Sequence, residues 1–184
     1  MNGWLLIYKV PKEPSTARVT IWRRTRHLGA LYLQQSACYL PDRGEHRQVL
    51  EAVAAEVRAF GGEAHVLGVV AEGEERERLL RRLEDERGAE YAEVHEQIAL
   101  LHSELHKETQ AGKFTFAELE DMESALERLH TWLVRVEARD IEGSTGYQAA
   151  ALALAEVTEA VGAFAQAVYQ HEAGVLRLHG GDDE

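Results

Sequence analysis

The chain has 184 residues, of which 45% are hydrophobic and only 3 are proline, and its formal net charge is −12. That length holds one domain with a real core or two small ones, and the scarcity of proline leaves room for long helices. The single cysteine, Cys38, excludes an internal disulfide and a cysteine-based zinc site.

The first apolar run, residues 4–8, is too short for a signal peptide and is followed at once by Lys9. The alanine-rich run at residues 149–155 falls far short of the ~20 residues that span a bilayer. A cytoplasmic protein with no membrane partner is therefore expected. The charge is unevenly spread. Residues 1–50 hold eight Lys/Arg against three acids, a local net of +5, which leaves −17 on the remainder. Such asymmetry points to a polyanion-facing surface, or simply to a solvated basic face beside acidic, soluble helices.

In chain order, residues 4–10 are β-branched and aromatic and close at Pro11, the pattern of a buried strand. Ser15 is the expected N-cap of a helix running to about Leu28, with Gly29 as its stop. Ala17, Ile21, Thr25 and Leu28 share one face with Trp22 at its edge, and Arg23, Arg26 and His27 lie opposite, flanked by Arg24. Residues 30–40 form a second β region, and Gln34-Gln35-Ser36 divides it into two short strands by a bulge or tight turn. A helix over residues 45–60 should bury Val49, Leu50, Val53, Val57 and Phe60. Gly61-Gly62 breaks it before a last strand at residues 64–70. Strand, helix, strand, strand, helix, strand is the order of a ferredoxin-like split βαβ module.

Residues 72–88 are expected as a charged connecting helix, residues 89–173 as a three-helix antiparallel bundle, and residues 174–184 as a loose tail. Tyr91, Val94, Ile98, Leu101 and Leu105 recur at steps of 3 and 4, as do Leu119 to Val136 and Leu154 to Val168. Thr115 with Glu118 makes a capping box, and Phe114 with Leu119 a hydrophobic staple. The fold class is therefore α+β: a ferredoxin-like module of residues 1–71 followed by an antiparallel helical bundle.

No catalytic constellation emerges. There is no nucleophile elbow, phosphate loop or dinucleotide fingerprint, and Cys38 sits inside a β run with no partner base. His102 and His106 have the spacing of a two-histidine clamp, and His95 shares their face. The paired Glu-x-x-His of a di-metal bundle occurs once, at Glu127 and His130, so packing beside the core stripe accounts for the row. No enzyme, cofactor or metal site is expected. The best remaining candidate is the basic set Lys9, Lys12, Arg18, Arg23, Arg24, Arg26 and Arg47. It could neutralise phosphates, hold a small oxyanion, or pair with the chain's own acids.

Residues 4–42 ("WLLIYKVPKEPSTARVTIWRRTRHLGALYLQQSACYLPD") and 112–140 ("GKFTFAELEDMESALERLHTWLVRVEARD") resemble the N-terminal region of the chromate resistance family ChrB. The resemblance runs to about Glu172 and implies a chromate-responsive regulator of a chromate efflux operon. Full-length members carry a further C-terminal domain, so the resemblance implies DNA, chromate or a separate C-terminal-domain protein as partners. Residues 1–71 are similar, more remotely, to Cas2 nucleases and to the Cas2-like part of PaaX-type repressors, a scaffold often dimeric through its sheet. A homodimer is the corresponding expectation. Cas2 enzymes carry a metal-binding aspartate in a pattern like Tyr-Asp-Ile-Pro, and here Tyr8-Lys9-Val10-Pro11 stands instead. A charged lysine repels a divalent cation, so nuclease activity is not expected. The leading expectation is a non-enzymatic regulator. The alternatives are a protein–protein assembly module and an oxyanion sensor.

Overall fold

A computed structural model describes residues 1–13 and 15–179, with side chains to residue 173. Two compact units share the chain: Met1–Glu86 with Arg139–Gly143, and Arg87–Ala138 with the chain from Ser144 onward.

The first unit runs β1 (Asn2–Lys9), α1 (Ser15–His27), β2 (Leu31–Gln34), β3 (Ala37–Pro41), α2 (His46–Ala59) and β4 (Glu63–Val70). Its four strands lie in the order β2-β3-β1-β4, every neighbouring pair antiparallel, which is the split βαβ arrangement. The apolar β1 takes a central place, paired with β3 on one side and β4 on the other. Leu6 and Tyr8 meet Ile21 of α1 and Leu50, Val53 and Val57 of α2, together with Cys38, Leu40 and Ala64. On the other face, Leu31 and Tyr39 pack with Ala71, Leu79 and Leu83.

Local chemistry sets the turns. Gly29 ends α1 at φ 74°, and the Ala30 amide donates back to the Thr25 carbonyl at 3.1 Å. Gln35-Ser36 turns β2 into β3, with a register shift between Tyr32 and Gln34, as the polar triplet predicts. Gly62 is required by close approach, since a Cβ there would lie 2.3 Å from the Lys9 carbonyl oxygen.

Phe60 differs from expectation. It caps α2 at φ −78°, ψ 7°, leaves the helical period, and is 40% exposed, while Ala54 is buried within the helix.

The second difference is the connecting helix. Residues 72–88 do not form a separate element, because α3 runs unbroken from Gly73 to Gln110. Gly88 alone weakens it, by about 1 kcal/mol relative to alanine, too little to stop a 38-residue helix. Leu79 and Leu83 near its start belong to the first unit's core.

In the second unit, α3 from Arg87 onward packs with α4 (Phe116–Glu137) and α5 (Gly146–His179). The three apolar stripes expected from the sequence meet in one core of Tyr91, Val94, Ile98, Met122, Leu133, Val157 and Phe164, among others. The Thr115 hydroxyl caps α4 by accepting from the Glu118 amide at 3.3 Å, and Phe114 and Leu119 both join this core. The expected tail at 174–184 is helical through His179, and residues 180–184 lie outside the described residues. Gly146–Ala173 is long and apolar enough by composition to cross a bilayer. Its stripe of Ala150, Leu154, Val157, Val161, Phe164 and Val168 is spent on the helical core.

At the end of α3, Glu108 is buried and lies 2.9 Å from Lys113 Nζ. The hydrogen bond from Lys113 holds the Glu108 carboxyl below its ordinary value, and the carboxylate in turn raises the Lys113 ammonium. A lowered carboxyl pKa stabilises the fold above the unfolded value, and that contribution is lost as pH falls through the lowered value. The raised ammonium pKa stabilises below its unfolded value and fades as pH rises through the raised one. Lys113→Ala therefore lowers the melting temperature at neutral pH. Thermal melts of the two proteins should converge toward strong acid and strong base, and a constant gap would contradict the pairing.

Candidate functional site

The seven expected basic residues separate into two groups. Arg24 pairs with Glu56, Arg26 Nη1 lies 2.9 Å from Glu86, and Arg47 Nε lies 2.8 Å from Glu51 while its guanidinium covers the Trp4 ring at 5.1 Å. These three are neutralised within the first unit. Lys9, Lys12, Arg18 and Arg23 have no carboxylate within ion-pair distance among the described residues. Three of those four line one cleft.

The cleft has a volume of about 690 Å³ and lies where the end of β1, the first half of α1 and the β2–β3 turn converge. Lys9, Lys12 and Arg18 supply its charge, Val10, Val19 and Trp22 an apolar wall, and Ser15, Gln35 and Ser36 polar groups. The Tyr8 amide donates to the Ser36 carbonyl at 2.9 Å, which fixes the turn against β1. Arg18 Nη2 donates to the Lys12 carbonyl at 3.2 Å and so braces the loop, leaving its other N–H groups for a ligand. The first turn of α1 holds no acid to offset the partial positive charge of a helix N-terminus. Glu63 is the register partner of Lys9, but its carboxylate meets His65 at 3.1 Å.

Behind the cleft lies an ordered hydroxyl chain. Thr25 Oγ1 is 3.1 Å from the Ile21 carbonyl and 2.9 Å from that of Trp22, both pure acceptors, so the threonine proton goes to them. Tyr32 then donates to Thr25 at 2.5 Å, and Tyr8 donates to Tyr32 at 2.9 Å. Burial and that hydrogen bond push the Tyr8 phenol far above its ordinary value, and burial raises Tyr32 as well. The chain fixes the tyrosines that support β1 and β2, and it leaves no ionised phenol to act as a base.

Cys38 is fully buried, and burial pushes its thiol up to about 12. A neutral, inaccessible thiol is unreactive. A disulfide reagent should therefore modify Cys38 only after denaturant unfolds the first unit; stoichiometric reaction of the native protein would contradict this environment.

The histidine row is a correction. Packing was expected, but His95, His102 and His106 are exposed, because the burial stripe of α3 is only as wide as Val94, Ile98, Leu101 and Leu105. His102 and His106 line a separate cleft of about 320 Å³ with Thr109 and Phe114, and His106 Nε2 lies 3.0 Å from Gln110 Nε2. His130 Nε2 meets Thr158 Oγ1 at 3.3 Å. Among the described residues, no three His, Cys, Asp or Glu side chains gather in a metal-binding group.

Sequence reasoning placed Trp22 at the edge of a buried face and missed it as part of a site. It is 50% exposed on the cleft wall, beside Val19 at 45%. Its position just off the Ala17–Ile21–Thr25 stripe was the available signal.

The model of the family "Protein ChrB, N-terminal" matches residues 18–175. Protein ChrB of Cupriavidus metallidurans strain CH34 is 33% identical over 111 residues, which cover 60% of this chain and 34% of that protein. The chain thus spans about a third of the length of the curated relative it matches. No solved structure matches. With the match extending across most of both units, the chain belongs to the ChrB N-terminal family.

Proposed function

We propose that the chain is a non-enzymatic, cytoplasmic regulatory module in chromate- or stress-responsive transcription, and that it contacts nucleic-acid phosphates through the cleft of Lys9, Lys12 and Arg18. The observation that carries this reading is the sorting of the basic residues. On a chain of net charge −12, these three converge unpaired while Arg24, Arg26 and Arg47 are spent on carboxylates. Family membership supports the regulatory setting, although Lys9 and Lys12 precede the matched span.

Among the described residues, the lining of the cleft holds no carboxylate and no imidazole, and Lys9 stands at the end of β1. Such a lining suits binding a phosphodiester rather than cutting it.

A second reading, assembly without nucleic acid, is favoured by the outer edge of β4. This eight-residue strand ends the sheet and exposes Leu67 and Val70. Homodimerisation through the sheet would use that surface. Anisotropy titration of the protein's own upstream DNA at low salt separates the two. Saturable binding supports the first reading. Binding no tighter than to an acidic polypeptide, together with a stable dimer in sedimentation, supports the second.

A further inference from the structure

The cleft is built for more than a bare phosphate. A tetrahedral oxyanion needs a small nest of donors, whereas about 690 Å³ is the scale of a site for an organic ligand. A duplex backbone presents phosphates along a broad surface, and neutralising them takes cations without apolar walls. Here the cations share one concavity with an exposed indole and an exposed valine.

We propose that the cleft takes one unpaired nucleotide, its base stacked on Trp22 and its phosphate held by Lys12 and Arg18. The proposal rests on the reading that this cleft faces phosphates, and it names the form in which they arrive. An aromatic platform beside a positively charged groove is the general solution for nucleotides whose bases are free of a partner strand. Val19, one turn before Trp22 on α1, extends the apolar wall, and the Gln35 amide with the Ser15 and Ser36 hydroxyls offers donors and acceptors suited to a base edge or sugar. The Tyr8 proton is already given to Tyr32, so these three side chains are the neutral groups left to donate to a base or sugar. The unpaired nucleotide can belong to a single strand or be a free mononucleotide, and both present the same chemistry.

The test uses the full chain with Trp4→Phe and Trp132→Phe, so that Trp22 is the remaining tryptophan, excited selectively near the red edge of its absorption. It is titrated with an oligothymidylate single strand, a duplex of equal length, adenosine monophosphate and inorganic phosphate. The single strand should quench Trp22 saturably and bind more tightly than the duplex. Trp22→Ala, in the otherwise native chain and read by anisotropy of a labelled strand, should weaken binding roughly tenfold, and Trp22→Phe should restore most of it. Equal quenching by the mononucleotide and the strand assigns a free nucleotide as the source; quenching by the strand alone assigns a polynucleotide.

If the duplex binds as tightly as the strand, depends on Lys12 and Arg18, and is indifferent to Trp22→Ala, the stacking proposal falls and the phosphate reading stands. Competition by inorganic phosphate as strong as by the mononucleotide, without quenching, overturns the stacking proposal in favour of an oxyanion site. If no arm binds at low salt, both fall together. Should the double phenylalanine variant fail to fold, the anisotropy series on Trp22→Ala and Trp22→Phe decides alone.

Discussion

Lys12→Glu with Arg18→Glu lowers DNA affinity by roughly a hundredfold at low salt, since each charge-assisted contact is worth about 1.5–3 kcal/mol and about 1.4 kcal/mol is tenfold. Arg24→Glu with Arg26→Glu is the contrasting pair. Those side chains already serve Glu56 and Glu86, so reversing them leaves affinity within a few-fold. The second pair instead destabilises the first unit, modestly, because half-exposed ion pairs contribute about 1 kcal/mol or less and like charges replace them. Anisotropy titration beside thermal melts separates the effects. Equal loss of affinity in both double variants would mean that overall charge, rather than the cleft, governs binding.

Leu50→Ala should strongly destabilise the first unit. Leu50 is fully buried where α2 packs with Leu6 of β1 and Ala64 of β4. Leucine truncations of this kind remove about 2–5 kcal/mol, the spread reflecting how far the surroundings collapse into the cavity. Leu67→Ala, on the exposed outer surface of β4, should stay within about 0.5 kcal/mol. Urea denaturation midpoints with unchanged slopes would check the pair. Comparable losses at the two positions would mean that β4 is covered in solution, as the assembly reading requires.

The fold was legible where one local rule sufficed. The apolar run of β1, the Gly29 stop, the Gln35-Ser36 turn and the Thr115 cap each rest on a few neighbouring residues, and each appears within a residue or two of its expected place. Phe60 escaped because helical periodicity carries no information about where the backbone leaves the helix. The continuity of α3 escaped because a stretch so charged, with few apolar anchors, reads as a connector, yet no proline stops the helix there.

The site was half legible. Charge counting found the basic set but could not divide it. Arg24 meets Glu56 and Arg26 meets Glu86 across separations that no spacing rule spans. Only Arg47 with Glu51, four apart on one helix, was readable as a pair from the sequence. Trp22 became part of the site through the convergence of β1, α1 and the β2–β3 turn, a tertiary fact. The exposed histidines show the same limit, since a residue beside a core stripe is buried only when a neighbouring helix is wide enough to cover it.

The central claim is that a mainly acidic chain keeps one cluster of free cations for phosphates. The salt dependence of binding to its own upstream DNA tests this most directly. About three neutralised phosphates predict a slope of log K against log salt near −2.7, a fall of roughly fortyfold between 50 and 200 mM salt. Lys12→Glu with Arg18→Glu should flatten that slope by about 2. A slope near zero, or the same slope in the wild type and the variant, would contradict the account.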